Sequence, residues 1–243
     1  MGLRTIDGAA AIMDQKADIQ KNLSAILQRI AEAARGCGRN PESVRLVTVA
    51  KTQPVALVRT AIDAGAGIIG ENYIQEARLK IETLIHLPVH WHFIGHLQSN
   101  KAKYAVRMFE LIHSVDSEKL AAEVDKQARK AGKIQNILVQ VNISKEPSKS
   151  GVEQERALDM IQTINAYQNI RVKGLMTMPP FFDAPELARP YFAALSRLRD
   201  QAQQHLGIAL HDLSMGMTGD FEVAIEEGAT LVRIGTAIFG ERR

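Results

Sequence analysis

The sequence predicts an α/β fold, a (β/α)8 TIM barrel with an added N-terminal helix, and three observations carry that prediction. Short β-branched runs alternate with longer segments of helical periodicity, and about eight such units fit into 243 residues. The runs are too apolar to face water on either side, as in parallel strands covered by helices. No GxGxxG or GxxxxGK[ST] loop opens the chain, which weakens the rival reading, an open doubly wound sheet.

The elements follow in order. Residues 1–14 are read as a flexible N-terminal extension, and residues 15–243 as a single barrel domain without a linker or composition shift. Residues 15–35 place Ile19, Leu23, Ile26, Leu27 and Ile30 at helical spacing before Gly36, a stop signal. Strands are expected at RLVTVAK (45–51), GIIGEN (67–72), VHWHFIG (89–95), LIHSVD (111–116), NILVQVNI (136–143), IRVKGLMTM (170–178), HDLSMGM (211–217) and LVRIGTA (231–237). Between the fourth and fifth, SEKLAAEVDKQARKAG predicts a helix. Ser117 is its N-cap, Leu120 and Val124 share one face, basic residues fill the last turn and Gly132 ends it. KEPSKSG (145–151) and MPPFFDAPE (178–186) each follow a strand directly and read as loops of the functional face.

Composition narrows the function. Thirty Lys and Arg against 27 Asp and Glu leave a formal charge of +3, acids are interspersed with bases, and aromatics are 5%. That is not the clustered basic, aromatic-rich pattern of a nucleic-acid binder, whereas anionic small molecules fit. The single cysteine, Cys37, permits neither an intrachain disulfide nor a multi-cysteine metal site, consistent with a reducing cytoplasm. No signal-peptide core opens the sequence and no run reaches the roughly 18 apolar residues of a membrane span.

In this barrel, chemistry sits at the C-terminal strand ends. Lys51 ends the first strand in LVTVAKTQP. It reads either as a solvated rim residue or as a desolvated amine, with lowered pKa, suited to attack on an aldehyde. The last two strands end in Ser214-Met-Gly-Met-Thr-Gly219 and Gly235-Thr236. Phosphate sites in this fold are often built there. Gly216, Gly219 and Gly235 permit close backbone approach, and Ser214 and Thr236 offer hydroxyl donors. The alternative is ordinary turn glycines and caps, and Asp220 and Glu222 nearby count against an anion unless they point away. Arg233 shares a face with Gly235, where it either meets a ligand or pairs with a carboxylate inside the barrel. HLPVHWHFIGH (86–96) holds four of the seven histidines. His90 and His92 share a strand face, but without Asp, Glu or an HExxH spacing a pocket-lining or backbone-satisfied role is preferred to a metal site. No GxSxG elbow supports nucleophilic hydrolysis, and Lys101 and Lys103 read as helix-surface charges, although SNK opens just after a strand end and could reach the mouth.

Taken together, AKTQP, GENYIQE, HFIGHLQSNK, VNISKEPSKSG, GLMTM, LSMGMTGDFEVAIEEGAT and VRIGTAIFG closely resemble the pyridoxal-phosphate homeostasis protein family, over about residues 45–240. The resemblance implies a barrel like the N-terminal domain of alanine racemase, holding pyridoxal 5′-phosphate (PLP) as a Schiff base. Residue by residue it implies Lys51 as the lysine of that linkage and Asn72 as a pocket residue. Ser214, Gly216, Gly235 and Thr236 fall in the phosphate loops, Arg233 is the partner of the pyridine nitrogen, and His92, Met176 and Met217 line the pocket. Ala50 and Thr218 stand where many relatives have serine, and threonine keeps the hydroxyl. The resemblance further implies buffering or delivery of PLP, with apo PLP enzymes as recipients and an influence on amino-acid and keto-acid balance, and no established reaction. The racemases' second acid/base group comes from a separate β domain, and only Glu241, Arg242 and Arg243 are expected beyond the last unit here; without that domain a monomer is expected. A racemase-like PLP enzyme is the competing reading, and the bare fold also admits a Schiff-base aldolase or sugar-phosphate enzyme.

Overall fold

The computed structural model describes residues 4–146 and 150–241, with side chains from Lys16 onward. Eight parallel strands close into a ring: β1 (Arg45–Val49), β2 (Ile68–Glu71), β3 (His90–Phe93), β4 (Leu111–Val115), β5 (Gln135–Asn142), β7 (Ile170–Met176), β8 (Asp212–Ser214) and β9 (Leu231–Ile234). β1 pairs with both β2 and β9, and the β4–β5 pairing completes the circuit. The two-residue β6 (Val152–Glu153), absent from the sequence prediction, adds only to the end of β5. The predicted strands are all present and end earlier than expected. Their last residues, such as Lys51 and Gly95, have turned into the βα loops.

The ring carries two cores. Outside it, alternate strand residues such as Ile69, Phe93, Ile112 and Val139 pack against the helices. Inside, Val47, Ile68, Ile94, Leu111, Leu138, Met176 and Leu231 fill the barrel. The period-two alternation of strand side chains produces this division, with both faces dry. Helix α5 (Glu118–Lys130) behaves as its sequence predicts: Ser117 Oγ accepts from the Leu120 N–H at 3.4 Å, and Leu120 and Val124 are buried.

Helix α1 (Arg4–Gly36) begins within the segment read as an extension. Its side chains Ile19, Leu23, Ile26 and Ile30 are buried, whereas Leu27, expected on the same face, is largely exposed. Four such side chains contribute roughly 6–12 kcal/mol of gross burial energy, which holds the helix against the barrel. Its place in the fold explains its length. The unit after β9 is closed by a helix of four residues, α9 (Thr236–Phe239), too short to cover the strands. Helix α1 lies against α9, α2 (Val55–Asp63) and α8 (Phe221–Glu226), covering that gap. Asn22 Nδ2 donates to the Ile238 carbonyl at 3.2 Å, Arg29 Nε to Glu222 Oε1 at 2.8 Å, and Arg39 Nη1 to the Ile225 carbonyl at 2.6 Å.

Candidate functional site

At the C-terminal strand ends lies a cleft of about 300 Å³. β1 and its loop give it Val49 and Lys51, the β2 loop Asn72, and the β3 loop Ile94. The segment after β7 supplies Met178, Pro180, Phe181 and Phe182, the segment after β8 supplies residues 217–220, and β9 with its loop supplies Arg233, Gly235 and Thr236. Of the residues singled out from sequence, Lys51, Asn72, Met217, Arg233, Gly235 and Thr236 therefore meet on one surface. The MPPFFDAPE loop forms a wall of the cleft. Residues 147–149 of KEPSKSG lie outside the described residues; Ser150, next to them, lies over the same face, with its hydroxyl 3.4 Å from His96 Nδ1.

The strand ends set these positions. The Ala50 N–H still donates to the Gly70 carbonyl at 2.9 Å, so Lys51 leaves the sheet just where pairing stops. Thr52 then takes a left-handed φ of 63°, a strained value for a β-branched residue, which turns the chain away after Lys51. Asn72 is brought in by a close backbone approach. A Cβ on Gly95 would lie 2.3 Å from the Asn72 carbonyl oxygen, so only glycine lets the β3 loop pass there. Asn72 Oδ1 is buried and has no hydrogen-bond partner among the described residues. A buried acceptor left open at a cleft wall is costly and suits a ligand that donates to it.

His92, Met176 and Ser214 point into the barrel as their strand parity predicts, but one layer below the cleft. His92 and Met176 do not line it, because the residues two further along each strand, Ile94 and Met178, take the exposed layer. Below Arg233 runs a buried polar strip. Arg233 Nη1 donates to Ser214 Oγ at 2.6 Å, and Nη2 to the Thr177 carbonyl at 3.0 Å. Ser214 Oγ is 2.8 Å from His113 Nδ1, and His113 Nε2 is 3.0 Å from His92 Nδ1. Arginine only donates, so the serine hydrogen goes to His113 Nδ1 and His113 donates from Nε2 to His92, an assignment of tautomers that leaves each of these bonds with one hydrogen. Burial, aided by neighbouring cations, pushes His92 down to about 3 and His113 well below the usual imidazole range, so both are neutral. Burial also lowers the Arg233 guanidinium to about 10, and it stays charged at neutral pH.

The loop after β8 answers the question of the nearby acids. Gly216 has φ 88°, and a Cβ there would strike Ala224 Cβ at 2.6 Å; it packs α8 against the loop without itself lining the cleft. The Met217 N–H donates to Asp220 Oδ1 at 2.6 Å, which closes a tight turn, and Glu222 faces Arg29 on α1. Burial raises the Asp220 carboxyl, and the Met217 N–H works against the rise. Thr218 and Gly219, which the hydroxyl and glycine pattern of the loop also offers, reach the cleft wall, whereas Ser214 and Gly216 do not. Ile94 and Met178, which no sequence signal singles out individually, line the cleft as well, because which layer of a strand reaches the mouth is not set by periodicity.

Among the described residues no group of three or more His, Cys, Asp or Glu side chains could hold a metal ion, and His90 sits at the opposite end of the barrel, paired with Glu110. No helix among the described residues is long and apolar enough to cross a membrane. The cleft therefore combines an amine, a charged guanidinium, an open amide acceptor and a glycine- and threonine-rich edge within apolar walls. That donor set fits a small aldehyde carrying an anionic group: the amine for the carbonyl, the hydroxyls and backbone of residues 218–219 and 235–236 for the anion.

Comparison with known proteins gives a consistent result. Residues 21–243 match the model of the family described as "Alanine racemase, N-terminal domain". The chain is 45% identical over 223 residues to a "Pyridoxal phosphate homeostasis protein" of Aquifex aeolicus, covering 92% of this chain and 98% of that protein. It superposes on PipY of Synechococcus elongatus, solved with PLP bound, with a TM-score of 0.81 and 35% identity, covering 91% of this chain and all of the other. An alanine racemase from Corynebacterium glutamicum shares the fold at TM-score 0.69 and 17% identity, and this chain spans 62% of it.

Proposed function

Because the chain belongs to the family of alanine racemase N-terminal domains and pyridoxal phosphate homeostasis proteins, we propose that it binds PLP and serves PLP homeostasis. It holds the cofactor as a Schiff base on Lys51 and delivers it to apo-enzymes, with consequences for amino-acid and keto-acid balance. The observation that carries this reading is the meeting of Lys51, the open Asn72 Oδ1 and Arg233 on one cleft of cofactor size.

When bound, PLP supplies an electrophilic aldehyde and an electron-accepting ring. The chain's own groups act on it as follows. Lys51 binds at the aldehyde. Residues 218–219 and 235–236 would bind the phosphate, and Asn72 Oδ1 would accept a hydrogen bond from the cofactor's ring hydroxyl. Arg233, charged at neutral pH and fixed by Ser214 and Thr177, would keep the pyridine nitrogen unprotonated and so limit the ring as an electron sink. Met178, Phe182 and Met217 exclude water from one wall.

A carrier is favoured over a racemase-like enzyme by the titratable groups on the cleft. Among the described residues, besides Lys51 and Arg233 they comprise Asp220, whose carboxylate already accepts the Met217 N–H. A racemase needs a second proton-transfer group across the substrate from its lysine. The reading includes a cytoplasmic, monomeric protein, with residues 15–243 as its PLP-binding domain and the first 14 residues as an appendage.

The test is reconstitution with PLP, borohydride reduction and peptide mapping. The reduced cofactor is expected on Lys51, and Lys51→Ala should retain no PLP through gel filtration while melting within about 2 °C of wild type, as for a mouth residue outside the core. Absence of cofactor on Lys51 in the wild-type protein would sink the reading. Incubation of the loaded protein with L- or D-amino acids in deuterated water should give no Lys51-dependent exchange at Cα; turnover there would favour the racemase-like alternative.

A further inference from the structure

Behind the strand ends that present Lys51 and Asn72, on the helix side of the barrel, lies a buried charge cluster that the cleft chemistry does not use. Lys80, on α3 (Ile74–Leu84), is 4% exposed. Its Nζ donates at 2.6 Å to the Ala50 carbonyl and at 2.6 Å to Glu71 Oε1. Glu76 Oε2 lies 3.7 Å from the same Nζ and accepts the Thr52 N–H at 2.8 Å. Ala50 precedes Lys51, Thr52 follows it, and Glu71 precedes Asn72. One ammonium thus ties together the backbone on either side of one cleft residue and the neighbour of another.

We propose that Lys80 is a positioning residue: from outside the barrel it holds the ends of β1 and β2 so that Lys51 and Asn72 face the cleft together. The inference rests on the PLP-binding reading for its consequence, while its structural part concerns the protein alone.

Two features make this more than a generic ion pair joining a helix to a sheet. A lysine needed only to neutralise Glu71 has no reason to spend a second short hydrogen bond on the last paired residue of β1. The left-handed Thr52 also requires external support, since its own hydroxyl turns back onto the Lys51 carbonyl at 2.6 Å and its N–H is taken by Glu76. Glu71 Oε2 has no partner among the described residues, so Glu71 depends on Lys80 and the pair must be removed together to avoid an uncompensated buried carboxyl.

The decisive variant is Lys80→Met combined with Glu71→Met, which replaces the pair by apolar groups of similar length, a kind of exchange that proteins often tolerate. Two measurements follow. In PLP-free protein, amide exchange at residues 50–53 should quicken about fivefold, the scale of one lost hydrogen bond, while exchange in β7 is unchanged. With PLP added, the concentration needed for half-maximal borohydride-trapped modification of Lys51 should rise about tenfold, as when partners supporting a binding group are removed. Glu76→Ala, which releases the Thr52 N–H without opening the core, should shift both readouts in the same direction to a smaller extent, and it decides the question if the double variant does not fold.

A folded double variant with wild-type protection at 50–53 and wild-type PLP loading overturns the proposal, as does a Glu76→Ala protein unchanged in both. Failure of the wild type to load PLP on Lys51 strikes the functional reading instead, and the exchange measurement still judges Lys80.

Discussion

The two ends of this barrel solve different problems. At the N-terminal end, polar groups pair with protein: Arg45 with Asp212, Thr230 Oγ1 with Asp212 at 3.3 Å, His90 with Glu110, and Gln135 Nε2 with the Glu110 and Asn136 carbonyls at 3.0 and 2.9 Å, leaving Gln135 Oε1 as the exception. At the C-terminal end Asn72 Oδ1 is left open, Thr52 is held in a left-handed conformation, and Phe181 is 87% exposed beside the cleft. The floor closes the ring, and the mouth gives up local satisfaction for a surface on which a ligand completes the bonding. The division accords with the barrel's general separation of a stabilising face from a reactive one.

Glycine substitutions offer the strongest way to break that comparison. Gly174, partnered with Asp212 in the β7–β8 ladder, has room for no side chain: an added Cβ would sit 1.8 Å from the Asp212 carbonyl oxygen. Gly174→Ala should destabilise by about 4 kcal/mol or more in denaturant unfolding, the range of backbone collisions in a core. Gly95→Ala, at the mouth, pushes directly on Asn72. Its folded fraction should lose PLP affinity as well as stability. Full PLP affinity in Gly95→Ala would contradict the role given to the mouth.

Acid titration sharpens the picture of the polar strip between the two ends. His92 and His113 have folded pKa values below the ordinary 6.5, so in the window from about 6.5 down to about 3 the unfolded chain binds more protons. Stability therefore falls as pH drops below about 6.5, by up to about 1.4 kcal/mol per pH unit for each histidine. Glu71 acts in the opposite sense: burial raises it from 4.5 to about 7, so its contribution is full below 4.5 and is lost as pH rises through about 7. With two histidines against one carboxyl, net acid destabilisation is expected. Replacing His113 by asparagine should make the melting temperature fall less steeply between pH 6 and 4.5; an unchanged slope would deny that the strip is held neutral.

The smallest expected effect lies at the lip. Phe181→Ser should leave unfolding within about 0.5 kcal/mol of wild type, as for other exposed positions, and speed PLP release a few-fold. Unaltered release would remove the lip from the binding surface.

Much of this was legible in the chain. The alternation of β-branched runs with helical segments determined the barrel, because parity and period are local properties, and the strand-end rule brought Lys51, Asn72, Arg233, Gly235 and Thr236 to one face. What it misjudged was depth. His92, Met176 and Ser214 carry the right parity but lie a layer too low, since the height at which a strand meets the mouth depends on stagger around the ring. At the end of β8 and in the loop beyond it, the sequence offers Ser214, Gly216, Thr218 and Gly219 alike, and only Thr218 and Gly219 reach the cleft, a choice that no period encodes because loops have none.

The sequence by itself determined the fold, the strand bearing each functional group, and the identity of the cleft's amine and guanidinium. Tertiary structure alone decided that α1 covers the gap beside the four-residue α9, that Ser214 is bound to Arg233 and His113, and that Lys80 on the third helix grips the ends of two strands. Each of these joins residues brought together by closure of the ring. Their attraction or exclusion depends on distances that no local pattern encodes.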